Sequence, residues 1–267
     1  MAEDFADAVP RDERIFVESV HKAMRVLDAF RCDTPLTIAD IAQLTGIGRS
    51  AAQRFIHTWN VMGYIRKADG GKGYVLTPKA LMPANRFLNS HYVLERAHPY
   101  LVEAVRRSQE RVGYGELDGT DYVLLYQAPS ARAFDLHNPV GTRYRAYLAT
   151  SGLAIMAFLP DEDVEAILAR SDLVAVTDHT ITDRAGIMAL LADVRQKGYC
   201  ITEQLSSHSR ISVSVPVFRT RSKVVGAVNI STLLVRHSRQ SVETELMPIA
   251  VETARAISSI FSDPANR

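Results

Sequence analysis

Hydrogen-bonding side chains recur at helical spacing in one short stretch of the chain. At 100° per residue, Arg49, Ser50, Gln53, His57 and Asn60 fall on one side of a helix, opposite Ala52, Phe55, Ile56, Trp59 and Met62. In the major groove of DNA, arginine pairs with guanine, glutamine with adenine, and serine with either base. An ordinary solvated helix face would show the same spacing, so the surrounding elements must decide between the two interpretations.

Two predicted helices precede this stretch. The first carries Val20, Ala23, Met24, Leu27 and Phe30 at helical spacing. The second begins after Thr37, a predicted N-cap, and ends at Gly46, which can adopt the left-handed conformation that closes a helix. Only two residues then separate Gly46 from Arg49, so the pattern predicts a helix-turn-helix.

A glycine-rich turn between two short β-forming runs follows at residues 64–76 and predicts a hairpin. Neither phosphate-loop pattern, GxxxxGK[ST] or GxGxxG, is present, so a nucleotide loop is disfavoured. A basic hairpin after a helix-turn-helix is a wing, whose lysines and arginines would contact phosphate. The predicted DNA contacts are Arg49, Ser50, Gln53, Arg54, His57, Arg66, Lys67 and Lys72.

The charge distribution supports an anionic partner for this region alone. The 267 residues carry a net charge of +1, yet residues 15–82 hold nine Lys or Arg against five Asp or Glu. Residues 1–14 are acidic, are expected to be a disordered tail, and lack the order of a secretory signal. With two cysteines and no apolar run near the roughly 20 residues of a membrane span, we expect a cytoplasmic protein without membrane contact.

The second half of the chain alternates predicted helices and strands, which indicates an α+β domain. Its histidines are isolated and no GxSxG elbow occurs, so we expect no metal, no cofactor and no catalytic site. Thr150 and Ser151 precede an apolar helix and could cap it, and Gly152 would allow a carboxylate to approach the backbone N–H groups there. These residues predict a binding pocket for a small organic acid.

Several stretches resemble the IclR family of bacterial transcription regulators. LTIADIAQLTGIGRSAAQRF at residues 36–55 and MGYI at 62–65 are similar to its winged helix-turn-helix. TSGLAIMAFLP at 150–160, DHTITD at 178–183, KGY at 197–199 and SVSVPV at 212–217 resemble landmarks of its effector domain, in the same order.

The resemblance implies a mixed α/β chain with three parts after the acidic tail: a winged helix-turn-helix over residues 15–77, a connector helix over 78–98, and a GAF-like effector-binding domain over 99–267. It also implies a homodimer or dimer of dimers that binds a double-stranded DNA operator and controls catabolic genes. Two alternatives stay open: an enzyme for a small acid with a basic tethering module, and an interaction module whose pocket is vestigial.

The resemblance adds positions to the expected effector pocket. Its predicted lining is Ala133, Leu136, Tyr144, Tyr147, Thr150, Ser151, Gly152, Thr202, Ser212, Asn229 and Ser231. Tyr147 stands where the family usually has histidine, and with Tyr144 it favours an aromatic or hydrophobic acid. Arg143, Arg145 and Arg210 could each bind the carboxylate, although a single arginine in such a position is more often a solvated surface residue.

Overall fold

The computed structural model describes residue 12 and residues 14–30, 34–128 and 138–261, and it divides into two compact units, Met1–Phe87 and Leu88–Arg267. The first unit is a winged helix-turn-helix, as predicted. Its elements are α1 (Glu18–Asp28), α2 (Ile38–Thr45), α3 (Arg49–Val61), β1 (Ile65–Lys67) and β2 (Tyr74–Leu76).

Local chemistry fixes the ends of α2. Thr37 and Asp40 form a capping box, in which each side chain accepts a hydrogen bond from the other residue's backbone N–H. At the other end Gly46 has φ of +65°, which a residue with a side chain adopts only with strain. The tight turn into α3 therefore lies where the sequence predicted it.

A small apolar core holds the first unit together: Val26, Ile41, Ile47, Ala52, Ile56 and Ile65. The Trp59 indole Nε1 donates to the Ala23 carbonyl at 2.9 Å, which ties α3 to α1. Three residues predicted for the inner helix faces, Val20, Met24 and Met62, are instead exposed. The core on α1 centres on Val26, and Met62 lies just beyond the last turn of α3, so neither face extends as far as the periodicity indicated.

Residues 78–108 comprise a 3₁₀ turn at Pro78–Ala80, then α4 (Leu81–Ser90) and α5 (Tyr92–Ser108). Pro99 lies inside α5, which continues without a break past residue 98, the end expected for the connector helix. The proline removes one hydrogen-bond donor from the helix, yet burial of neighbours such as Val93, Ala97 and Leu101 holds the segment helical.

The second unit is an antiparallel six-stranded sheet with helices on both faces, in the order β5-β4-β3-β8-β7-β6. The strands are β3 (Arg111–Asp118), β4 (Asp121–Ala128), β5 (Arg143–Arg145), β6 (Cys200–Glu203), β7 (Arg210–Thr220) and β8 (Lys223–Leu233). The helices are α6 (Thr150–Met156), α7 (Asp161–Arg170), α8 (Arg184–Lys197), α9 (Arg239–Ser241) and α10 (Met247–Ile260), with a π-helical turn between the last two. The mixed α+β prediction is thus confirmed.

Alternation along β7 separates the two faces of this sheet. Ile211, Val213 and Val215 belong to the apolar core that also includes residues of α5 and α10. Ser212 and Ser214 project to the opposite face, where α6 packs on β7 and β8. Polar side chains therefore enter the interior on the α6 side of the sheet. No helix of the described residues is long and apolar enough to cross a bilayer.

Candidate functional site

The outer face of α3 presents the predicted DNA contacts to solvent. Arg49, Ser50, Gln53, Arg54 and His57 are all exposed, and α3 itself contains no acidic residue. On the opposite side Ala52 and Ile56 are fully buried. The helix is thus anchored by one face and offers a positively charged, hydrogen-bonding face on the other.

The hairpin that follows α3 is fixed against the same unit. Leu36 and Tyr74 exchange backbone hydrogen bonds, which pins β2 to the segment before α2. Gly73 has φ of +126°, and a Cβ there would lie 3.1 Å from the Leu36 carbonyl oxygen, so glycine is required at this junction. On the exposed side of the hairpin lie Arg66, Lys67 and Lys72, and Arg66 pairs with Asp69 at 2.9 Å.

The second unit contains a cavity of about 280 Å³ on the α6 side of the sheet. Its walls come from all six strands of the sheet, β3 to β8, from the start of α6, and from the loop after β6. The lining residues are Arg111, Gly113, Tyr122, Leu124, Gln127, Asn138, Tyr144, Leu148, Ala149, Thr150, Ser151, Thr202, Leu205, Ser206, Ser207, Arg210, Ser212, Asn229 and Ser231.

One row of polar side chains crosses four strands at the cavity. Arg111 pairs with Ser231, Ser231 with Ser212, and Ser212 with Thr202. Because residues in register share a face, their side chains lie side by side. The Ser212 hydroxyl donates to the Ser231 hydroxyl at 2.9 Å, and the Thr202 and Thr150 hydroxyls lie 2.6 Å apart.

The charge of the cavity is positive. Arg111 and Arg210 line it, and the described lining residues include no aspartate or glutamate. Burial raises the pKa of the Tyr144 hydroxyl, and the positive charges of Arg111 and Arg210 partly offset that rise. Both arginines therefore act on the same region of the cavity, beside Tyr144, where an anionic group of a ligand would be stabilised.

Seven of the predicted pocket residues line the cavity: Tyr144, Thr150, Ser151, Thr202, Ser212, Asn229 and Ser231. Ala133 and Leu136 lie outside the described residues. Thr150 and Ser151 do not cap α6, because its N-cap is Ala149 and their hydroxyls bond Thr202 and Ser214 instead.

Tyr147 and Gly152 lie elsewhere than the sequence predicted. Tyr147 is buried, and its hydroxyl donates to the carbonyls of Asp172 and Val174, each at 3.0 Å. A Cβ on Gly152 would lie 2.2 Å from the Ala146 carbonyl oxygen. Both residues thus support the packing of the cavity wall without lining it.

The arginines fall into two groups. Arg143 bonds the carboxylates of Asp118 and Asp121 at 2.7 and 3.0 Å, and Arg145 bonds the Asp172 carbonyl, so both hold neighbouring chain segments. Arg210 does line the cavity, and so does Arg111, which the sequence analysis missed. The available signal was its position at the start of an alternating run, which places it on the same face as Gly113.

The described residues offer little for catalysis. No group of three or more His, Cys, Asp or Glu among them could hold a metal ion. Cys200 is fully buried, and burial raises the pKa of its thiol to about 12, which keeps it protonated and unreactive. Ser206 and Ser207 lie in the loop between β6 and β7. They line the cavity and offer hydroxyl groups for hydrogen bonds.

Comparison with known families accounts for both units. The bacterial transcriptional regulator IclR C-terminal domain matches residues 85–259, and the IclR helix-turn-helix domain matches residues 19–69.

Individual proteins agree with these matches over nearly the whole chain. The chain is 32% identical to the Pca regulon regulatory protein of Pseudomonas putida over 244 residues, 90% of this chain and 82% of that one. It is 24% identical to the p-hydroxybenzoate hydroxylase transcriptional activator of Acinetobacter baylyi, over 92% of each chain. A solved structure from Rhodococcus sp. RHA1, described as that of a transcriptional regulator, superposes with a TM-score of 0.80 at 29% identity, covering 92% of this chain and 99% of that one.

Proposed function

Because the chain belongs to the IclR family of bacterial transcriptional regulators, we propose that it is a sequence-specific regulator whose second unit senses a small organic acid. The observation that carries the proposal is the cavity, which combines Arg111 and Arg210 with apolar walls and no described acidic residue. Arginine binds a carboxylate through two parallel, charge-assisted hydrogen bonds, which are stronger than hydrogen bonds between neutral groups. A volume of about 280 Å³ lies at the lower edge of known ligand sites and suits a small effector.

The apolar walls favour an aromatic acid. Tyr122, Leu124, Tyr144 and Leu148 are among the residues that line the cavity. A relative in A. baylyi is named as the transcriptional activator of p-hydroxybenzoate hydroxylase, which is consistent with control of catabolic genes by this chain. Residues with the chemistry to read DNA bases, Arg49 and Gln53, are exposed together on α3.

Exposed apolar side chains support a second copy of the chain as partner. Val17, Val20 and Met24 on or beside α1 are 47–59% exposed, and Leu81 and Met82 on α4 are 67% and 41% exposed. Helix-turn-helix proteins bind two half-sites about 34 Å apart as dimers. We therefore propose at least a homodimer, with the effector shifting the population between two arrangements for which it has different affinities.

Titration calorimetry with a carboxylate and its neutral amide tests the acid-sensing half of the proposal. We expect benzoate to bind and benzamide, which has nearly the same shape, to bind at least tenfold more weakly. Equal binding of the two would contradict a site built for an anion.

Selection from random oligonucleotides tests the DNA half. We expect an enriched, partly palindromic motif with wild-type protein, and a changed preference at one position of each half-site with Gln53→Ala. An unchanged motif with Gln53→Ala would show that α3 presents another face to the bases.

In the calorimetric experiment, conversion of the bound acid into a product would favour the alternative hypothesis, an enzyme for a small acid.

A further inference from the structure

On the basis of the acid-responsive regulation inferred above, we propose that Glu116 and His91 form a latch through which an occupied cavity acts on the break between α4 and α5. The latch is the contact between the Glu116 carboxylate and the His91 imidazole. It lies on the face of β3 opposite the cavity.

The polypeptide enters the second unit through α4, because the boundary between the units follows Phe87. α4 ends at Ser90 and α5 begins at Tyr92. The residue between them, His91, has φ of −93° and ψ of 74°, which is outside the helical region. A change that the second unit passes along the chain to the first must therefore pass His91.

The His91 side chain contacts the sheet. Its Nε2 lies 3.1 Å from Glu116 Oε1, and both side chains are largely shielded from solvent. Because a carboxylate only accepts hydrogen bonds, the imidazole N–H is the donor. The Tyr114 hydroxyl donates to the same oxygen at 2.9 Å. A single carboxylate oxygen thus joins the break to β3.

The Tyr114 side of this contact is rigid. Tyr114 is fully buried, and a Cβ on Gly226 of β8 would lie 2.5 Å from its hydroxyl oxygen, so the phenol packs directly on that backbone. Burial and the negative charge of Glu116 raise the pKa of Tyr114, which keeps the phenol protonated and able to donate. Glu116 is therefore positioned by the sheet, and His91 is positioned by Glu116.

The two helices beside the break differ in how firmly they are held. Leu94, in the first turn of α5, belongs to the apolar core of the second unit, and the Tyr92 ring packs edge-on against Phe261 of α10. The described residues of α4 are all exposed except Leu88, which is half-buried. A change at His91 would therefore act on α4 and leave α5 in place.

The thickness of one strand separates the latch from the cavity. Tyr122 lines the cavity and packs on Gly115, where a Cβ would lie 2.7 Å from its ring carbon Cζ and from its oxygen. Gly115 lies between Tyr114 and Glu116, whose side chains meet on the other face. The pairing of β3 with β4 is also irregular between Tyr114 and Gly115. Such irregular points bend a strand and re-aim its side chains.

These contacts connect the two faces of β3. An acid that fills the cavity holds Tyr122 against Gly115 and so favours the arrangement of β3 in which Glu116 holds His91. In the empty protein the latch opens more often, and α4 is held less firmly. The difference in the affinity of the acid for the two arrangements sets the size of the effect.

Fluorescence anisotropy on the selected DNA motif, with and without saturating benzoate, tests the latch. The measured quantity is the factor by which benzoate changes DNA affinity, which we expect to be at least about fivefold in wild-type protein. His91→Leu removes the donor, so the factor should fall to about twofold or less. His91→Gln should restore it, because the glutamine amide can donate to Glu116. Benzoate itself should still bind His91→Leu, since His91 does not line the cavity.

His98→Leu is the matched control. The His98 Nδ1 lies 2.9 Å from the Tyr126 hydroxyl, so this variant also removes a hydrogen bond between α5 and the sheet, but inside α5 and away from the break. The benzoate factor of His98→Leu should equal that of the wild type. A structural role in docking α5 would instead lower it in both leucine variants.

Hydrogen exchange of the wild-type protein supplies a measurement that depends on no variant. The backbone N–H of His91 bonds the Leu88 carbonyl, and that of Leu94 bonds the His91 carbonyl. Benzoate should slow exchange at residues 88–94 by roughly fivefold, because exchange and DNA binding would report the same equilibrium.

The outcomes separate the latch from the regulation on which it rests. An undiminished benzoate factor in His91→Leu, or exchange at residues 88–94 that bound benzoate does not change, would refute the latch and leave acid-responsive regulation intact. A factor lost equally in His91→Leu, His91→Gln and His98→Leu would also refute it. Wild-type DNA binding that bound benzoate does not alter would refute the proposed regulation together with the latch.

Discussion

The two units of the molecule present polar groups in opposite ways. The first unit carries its candidate contacts on the exterior of one continuous stretch, residues 49–72, with the core behind them. The second unit brings its candidate contacts inward, from residues as far apart as Arg111 and Ser231, onto one face of a sheet. The first arrangement is open to a large partner, and the second encloses a small one.

This difference has a structural consequence. A contact residue on α3 has solvent on its outer side, so its replacement costs little stability. A cavity residue is part of the interior, where it bonds other cavity residues, as Thr150 does with Thr202. Changes there should alter stability and binding together. The following predictions test whether the two units respond separately.

The largest effect is expected from the core of the first unit. Ile56 is 1% exposed among six fully or nearly buried apolar residues, so Ile56→Ala should destabilise this unit by about 2–5 kcal/mol. Calorimetric unfolding and DNA binding should both report the loss, while acid binding persists. Met156→Ala, in the core of the second unit, is the reciprocal control. Loss of acid binding in Ile56→Ala would show that the units do not respond separately.

A substitution behind the cavity wall should lower the stability of the second unit and leave that of the first unit unchanged. Gly152→Ala places a Cβ 2.2 Å from the Ala146 carbonyl oxygen, and overpacking of this kind costs about 1–3 kcal/mol. We expect a lower melting temperature and weaker acid binding, measured by differential scanning calorimetry and titration calorimetry. Gly71→Ala, at an exposed position of the β1–β2 hairpin without a positive φ, where a Cβ would lie 3.8 Å from the Asp69 carbonyl oxygen, controls for the glycine substitution as such. Unchanged stability in Gly152→Ala would contradict the described packing.

Arginines that line the cavity and arginines that bond neighbouring chain segments should differ in their contribution to the affinity for an acid. Arg111→Gln should weaken binding of a benzoate by about 10- to 100-fold, because a hydrogen bond to a charged group contributes about 1.5–3 kcal/mol. Arg143→Gln should leave that affinity unchanged, since Arg143 bonds Asp118 and Asp121 outside the cavity. An equal loss in both variants would mean that the arginines act through stability and not through contact.

Alkaline pH should weaken the second unit. Burial raises the pKa of the Cys200 thiol from 9.0 to about 12, so the unfolded thiol ionises from about pH 9 while the folded one stays neutral. Stability should therefore fall as the pH rises from about 9 towards 12, by about 1 kcal/mol near pH 10 from this group. Urea unfolding at pH 8 and pH 10 measures the change. Cys200→Ala should be less sensitive to pH over this interval, and an unchanged difference would contradict the assignment to Cys200.

The smallest expected effect concerns the hairpin of the first unit. Lys72→Ala should weaken binding to all DNA sequences alike and reduce the slope of log affinity against log salt by about one. Lys22→Ala removes a lysine that already pairs with Glu18 at 3.4 Å, and should leave the slope nearly unchanged. An effect of Lys72→Ala that depends on the DNA sequence would indicate that Lys72 contacts a base and not a phosphate.

Sequence alone predicted the first unit in detail because its signals are local. The N-cap at Thr37, the turn at Gly46 and the polar face of α3 each depend on a few consecutive residues. The sequence did not show that Val20 and Met24 are exposed. Helical spacing identifies the apolar residues on one face of α1, but it does not show which of them are buried.

The cavity was only partly predictable, because its lining residues come together through tertiary contacts that local sequence patterns do not specify. Thr202, Ser212 and Ser231 share a face through strand pairings that no local pattern specifies, and Arg111 joins them only through its register with Ser231. Tyr147 was expected in the wall because it stands at a position that borders the pocket in the family pattern, but its hydroxyl is bound by the backbone of Asp172 and Val174. Which side of an aromatic residue faces a cavity depends on tertiary contacts.

Fluorescence anisotropy on the selected DNA motif, at fixed salt and with and without the tightest-binding acid, tests the central claim most directly. The account predicts specific binding whose affinity changes at least fivefold with the acid in wild-type protein, the lower end of typical coupling between two sites. The same acid concentration should leave DNA binding by Arg111→Gln nearly unchanged. Specific DNA binding that no bound acid alters would contradict the claim that the cavity regulates the DNA-binding unit.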